Sequence, residues 1–408
     1  MIHIPGSRGA RAAIALLLAA CAMPSHADSV TDWNVRANQV IVDARMGTPP
    51  AVRLMAIVQT AVHNAVSDID RQSGGRRDAA QLATIDAAVA AANRTVLVRA
   101  FPVQQAQVQA MYQAAIATLT DGPAREAGIG AGERAAAAVL AARADDGAGS
   151  AEAYRPHTSP GAYVPTVTPA VPQWPQRKPW LLETASQFRP GPPPATTSEL
   201  WARDFNEVKA FGGRASTGRS AEEVEIARFW DFSLPAIYHG VVQSVAATPG
   251  RDVLRNARLF AVVSQAMDDA LISVMDAKYH YNYWRPVTAI RNADIDGNDA
   301  TMRDPSWMPR IDTPMHPEYP CAHCILGATV ATLVQAEVGK AAMPVLATTS
   351  ATAKGATRRW ASPDALMREV ALARIVGGVH FRNSTDIGIA MGRRIGELAA
   401  LHLADPAQ

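Results

Sequence analysis

The sequence predicts a mainly α-helical protein, a helical bundle crossed by one proline-rich extended arm. Three observations predict it. In PPAVRLMAIVQTAVHNAVSDI, Leu54, Ile57, Val58, Ala61, Val62 and Ala65 recur at i, i+3, i+4 and i+7. Alanine-rich runs elsewhere favour helix, and no long stretch alternates apolar and polar as a half-buried strand does. Eleven of the 28 prolines fall between residues 154 and 195, where neither a helix nor a central strand can tolerate them.

The chain has 408 residues, enough to bury a large core, and 48% of them are hydrophobic. A formal charge of +2 lacks the basic excess of a general nucleic-acid binder. Beyond the N-terminus no run of about 18 apolar residues occurs, so no membrane span is expected in the mature chain.

Residues 1–27 read as an export signal: Arg8 and Arg11 precede AAIALLLAACAM, and SHA before Asp28 is a small-residue cleavage site. The expectation is a periplasmic or extracellular protein. LAAC, ending at Cys21, also resembles a lipobox, which offers a lipid anchor as the alternative. Apart from Cys21 only Cys321 and Cys324 remain, too few for a disulfide scaffold.

An N-terminal helical region is expected over 28–150, with helices near 79–100, 102–120 (opening near Pro102) and 123–144. His63 reads as a polar residue settled in this bundle. Residues 151–197 form the arm. Trp174, Trp180 and Phe188 interrupt it, which a flexible linker would not show, so it should pack across the helices. Residues 198–408 follow, with helices near 198–211, 220–246, 251–284, 323–338, 364–376 and 386–403 and a turn-rich loop over 291–320. The stretch 28–408 is expected to be one compact unit.

Three short stretches carry chemistry. In DAKYHYNYWRPVTAI, Lys278 and Arg285 stand seven residues apart, and on a helix they would leave from one face. Two stacked cations among aromatics need an anion between them. PEYPCAHC holds Cys321, Ala322 and His323 at a turn into a helix, and ARIVGGVHFRNSTD holds Arg374 and His380. Cations and helix-end N–H groups suit a tetrahedral oxyanion; one histidine can meet its central atom while the other handles protons.

These spacings resemble the signature K-x6-R-P, P-S-G-H, S-R-x5-H-x3-D of the type 2 phosphatidic acid phosphatase and vanadium-dependent haloperoxidase superfamily. DWNVRANQVIVDAR, SQFRPGPPPATTSELWARDFNEVKAFG and KYHYNYWRPVTAIRNADIDGN look like its exported bacterial haloperoxidase branch. The resemblance implies a helical bundle of that type, with Lys278, Arg285 and Arg374 holding the oxygens of vanadate or phosphate. It also implies Cys321 and Ala322 in the oxyanion-binding turn and His380 as the ligand to vanadium or the phosphate-accepting nucleophile. His323 would be the acid–base residue, and His316 lies where some bromoperoxidases place a histidine. The implied substrates are a halide with hydrogen peroxide, vanadate being the cofactor. The alternative is an exported phosphatase with a phosphohistidine, a phosphate ester as substrate and no cofactor; a non-catalytic oxyanion-binding protein is a third reading.

The chain departs from the signature at three places. Cys321-Ala322 replaces Ser-Gly, Ala373 replaces the serine before the arginine, and Ser384 stands where a carboxylate is expected four residues after the histidine. Asp386 is the nearest substitute for orienting His380. CAHC also matches a dithiol pattern but lacks its βαβ context, and Ile325 excludes a c-type haem site. A zinc site from His316, Cys321, His323 and Cys324 is strained by Pro317 and Pro320. A Cys321–Cys324 disulfide would remove the Cys321 thiol as a donor. ADIDGND (293–299) lacks the order of a calcium loop and reads as a turn.

Overall fold

The computed structural model describes residues 28–75 and 77–404; the export segment and Cys21 lie outside them. The N-terminal elements are α1 (Ser29–Asp43), α2 (Thr48–Ser73), α3 (Ala79–Ala100), α4 (Gln105–Ile116) and α5 (Pro123–Ala142). Capping follows sequence: Asp28 and Asp78 accept backbone N–H groups ahead of α1 and α3, and prolines open α2 and α5 where no donor is needed.

The arm is extended and packed. Trp174 is buried, Trp180 and Phe188 lie half-buried against the core, and a single 3₁₀ turn (Trp174–Gln176) is its regular element. After it come α6 (Glu199–Phe211), α7 (Ala221–Phe229), α8 (Pro235–Ala246), α9 (Val253–Tyr281) and α10 (Pro286–Arg291). The chain ends with α11 (Ala322–Val338), the hairpin β1 (Leu346–Ser350) and β2 (Ala356–Trp360), then α12 (Pro363–Val376) and α13 (Arg382–Ala404).

Two expectations need correction. The single helix over 220–246 is two, because Pro235 cannot donate and holds Leu234 in the extended region (φ −67°, ψ 157°). The helix over 251–284 stops at Tyr281, where Asn282 turns left-handed (φ 49°) and donates back to the Lys278 carbonyl. Arg285 therefore leaves the helix that carries Lys278 and instead caps α10. The β1–β2 hairpin is short, and half of it faces solvent, so it left little periodic signal.

Helix α9 is the axis of the molecule. It packs against α2 in the N-terminal region and against α11 and α13 in the C-terminal one, and a continuous apolar core runs from Val30 to Ala399. Helices α11 and α13 pack backbone to backbone: a Cβ on Gly392 would stand 2.3 Å from the Ile325 carbonyl oxygen, so only glycine fits. That contact sets α13, and with it the residues just before it, against the N-terminus of α11. No described helix is long and apolar enough to cross a membrane.

Candidate oxyanion site

Lys278 lies in the last turn of α9 with no exposed surface, and its Nζ donates to the carbonyls of Pro317 (2.8 Å) and Glu318 (2.7 Å). Arg285, 1% exposed, spreads its guanidinium between two segments of chain: Nε to the His316 carbonyl (2.9 Å), Nη2 to His316 Nδ1 (3.0 Å) and Nη1 to the Val379 carbonyl (2.8 Å). The two cations meet through a turn rather than along one helix face.

The loop before α11 supplies most of these acceptors and enters the helix through the cis Tyr319–Pro320 bond. Cys321 and Cys324 are joined by a disulfide, and Cys321 Sγ accepts the Cys324 N–H (3.2 Å) as the N-cap. Cys321 thus has no thiol proton to give, which corrects its expected place as a side-chain donor; Ala322 has only its backbone N–H to offer. The N–H groups of Ala322 and His323 occupy the first helical positions, where no intrahelical carbonyl can reach them.

Arg374 comes from the last turn of α12 and donates through Nη1 to the Trp230 carbonyl (3.0 Å). Gly378 then turns the chain at φ +78°, with a notional Cβ only 2.3 Å from the Gly212 oxygen. No other residue fits there. The turn delivers His380, buried, with Nε2 3.2 Å from Arg285 Nη1 and Nδ1 2.7 Å from Glu318 Oε1.

Glu318 is the residue that sequence reasoning missed. It sits inside PEYPCAHC, but nothing in the local pattern separates it from a loop glutamate. Asp386 was the expected partner of His380 and is not: it is exposed on α13, with Arg382 and Asp204 as its charged neighbours. His380 precedes α13, whose first turn leaves Ser384 buried beside the imidazole and turns Asp386 out to solvent. Tyr238 was also missed; its buried hydroxyl has no partner and lies in the field of Arg374.

The electrostatics fit a small anion. Lys278 and Arg285 face the buried carboxylate of Glu318, and Arg374 lies in the field of Asp231, so three buried cations meet two carboxylates. Burial, then the Arg285 charge, holds Lys278 well below the usual lysine range; burial pushes Arg285 and Arg374 each down to about 10. Glu318 is pushed up to about 7 by burial, against the pull of Lys278 and Arg285. His316, His323 and His380 are all lowered, burial first and the neighbouring cations next. His323 Nε2 and Arg374 Nε are buried without partners. Buried polar atoms are rarely left so. A tetrahedral oxyanion would satisfy them and offset the excess positive charge, so the donor set fits vanadate or phosphate.

The fold is a helical bundle of the type that vanadium haloperoxidases share. Residues 258–408, which hold all three motifs, match the family model of the VCPO second helical-bundle domain. That match covers the C-terminal part of the chain, the part that carries the motif spacing. Among solved structures, the first bacterial vanadium-dependent iodoperoxidase superposes with a TM-score of 0.76 at 21% identity, over 92% of this chain and 95% of that one. An apo-type bacterial vanadium-dependent chloroperoxidase gives 0.71 at 18% identity, over 88% and 93%. The vanadium chloroperoxidase of Curvularia inaequalis is 28% identical over 29% of this chain, a match spanning 23% of that relative's length.

Proposed function

We propose that the protein is a vanadium-dependent haloperoxidase, exported from the cytoplasm, that oxidises a halide with hydrogen peroxide. The observation that carries the reading is the buried cationic cage closed by His380, whose Nε2 faces Arg285 across 3.2 Å, in a chain that superposes on two vanadium haloperoxidases over most of its length.

Lys278, Arg285 and Arg374 would hold the oxygens of vanadate, assisted by the N–H groups of Ala322 and His323, and His380 Nε2 would meet the metal. Bound vanadate would supply the Lewis acidity that activates peroxide toward the two-electron oxidation of halide. The residues around it do the rest. The fixed cations stabilise negative charge as it develops on oxygen, at no reorganisation cost because carbonyls of Pro317, Glu318, His316 and Val379 already hold two of them in place. His323, neutral and with Nε2 free, is placed to take and return the proton that peroxide must lose. His316 accepts from Arg285 Nη2 and keeps that guanidinium fork oriented.

The test compares two assays on purified protein: iodide and bromide oxidation with vanadate and peroxide, and aryl phosphate hydrolysis without vanadate. Vanadate-dependent halide oxidation is the expected result. Efficient hydrolysis with no halide oxidation would make the same site a phosphatase with His380 as nucleophile, and inactivity in both assays would leave an oxyanion-binding protein.

A further inference from the structure

We propose that Glu318 is the positioning residue of His380, performing from the loop before α11 the task left open by the absence of a carboxylate at 384. The inference rests on the reading of His380 as the residue that meets the oxyanion's central atom. Three observations carry it.

First, the contact is direct. Glu318 Oε1 lies 2.7 Å from His380 Nδ1 and also accepts the Phe381 N–H (3.0 Å), so one oxygen fixes both the ring and the backbone that follows it. Second, the glutamate is itself held: its carbonyl receives Lys278 Nζ (2.7 Å), which ties the lysine, the loop and His380 together in one residue. Third, position 384 faces the same nitrogen but cannot do the work. Ser384 Oγ stands 3.4 Å from Nδ1, too far for a good bond, and a hydroxyl can donate as well as accept.

The consequence is a fixed tautomer. A carboxylate oxygen accepts, so Nδ1 carries the ring proton; the Arg285 guanidinium can only donate, so Nε2 presents its lone pair. His380 therefore offers an unprotonated nitrogen to the cationic cage. With serine alone at Nδ1 the ring could equally turn its N–H toward Arg285, donor against donor, and the lone pair would be lost to the oxyanion.

A purely structural glutamate would offset cationic charge without orienting the imidazole, and moving the carboxylate separates the two roles. Vanadate affinity is measured by titration calorimetry without peroxide or halide, on wild type, Glu318→Ala and Glu318→Ala/Ser384→Asp. The single variant is expected to bind about 10- to 100-fold more weakly, the usual effect of losing such a partner, and the double variant to recover most of that loss. Unchanged affinity in Glu318→Ala, or no recovery in the double variant, overturns the inference. If Glu318→Ala does not fold, Glu318→Met with and without Ser384→Asp replaces it; the side chain fills the space but accepts from neither His380 nor Phe381, and about tenfold weakening with recovery is expected. No vanadate binding by wild type would overturn the functional reading instead, and no variant is needed to see that.

Discussion

Arg177 and Asp268 form a bidentate ion pair with no exposed surface on either side chain, Nη1 to Oδ1 at 2.6 Å and Nη2 to Oδ2 at 2.9 Å. One partner belongs to the arm and the other to α9. Asp146 shares the same guanidinium (2.8 Å), and Asp269 next door accepts the N–H groups of Trp180, Leu181 and Leu182. Asp276 completes the row with both nitrogens of Arg189. Carboxylates of α9 thus fasten a segment whose prolines leave it few backbone donors.

The first prediction follows from that clasp. Asp268→Ala leaves Arg177 buried with one carboxylate, and breaking a buried pair typically costs about 3–5 kcal/mol. Urea unfolding should show that loss, and limited proteolysis should begin between residues 154 and 195. An unchanged midpoint with an uncut arm would show that apolar packing alone holds it.

Arg285→Lys keeps the charge and loses the fork that reaches His316, Val379 and His380 at once. Vanadate or phosphate affinity should fall at least tenfold, about 1.4 kcal/mol, while the fold survives. Calorimetry checks it; wild-type affinity in the variant would mean that charge alone matters at this position.

Replacing the disulfide by Cys321→Ser/Cys324→Ala gives the helix cap a hydroxyl whose oxygen can accept the N–H of residue 324 while its proton faces the cage. One added bond to a charged oxyanion should tighten binding about tenfold. Losing a cross-link that closes so short a loop should lower stability by about 2 kcal/mol. Binding no tighter than wild type would place the hydroxyl out of reach of the anion.

His239 governs a separate pH effect. It is fully enclosed, and its Nδ1 takes amide protons from Asn34 (2.9 Å) and Asn38 (3.2 Å), while Nε2 faces Ser264 Oγ (3.2 Å). Burial pushes it down to about 3. Between that value and its ordinary 6.5 the unfolded chain binds a proton that the folded chain refuses, so this contribution to stability is complete above the upper limit and is lost as the pH falls. The slope approaches about 1.4 kcal/mol per pH unit. Unfolding midpoints of wild type and His239→Gln, compared at several pH values from neutral to about 4, should converge toward acid; parallel curves would reject the assignment.

The sequence by itself determined the helical class and most of the helices, and it singled out the candidate residues of the anion site. Helical spacing is local, so α3 begins and ends at its expected residues, and α12 at most one residue away. Lys278, Arg285, Arg374, His323 and His380 could be picked out because each stretch that holds them is short, and the fold buries them together. What only the tertiary structure decided is how these residues meet. Asn282 ends α9 three residues before Arg285, so a turn brings the cations together. The carboxylate at His380 comes from 62 residues away in sequence, which no local period can reveal. The same holds for Arg177 and Asp268, which lie 91 residues apart and meet only because the arm is laid along α9. Contacts between distant segments depend on how faces pack, and packing is a property of the assembled core.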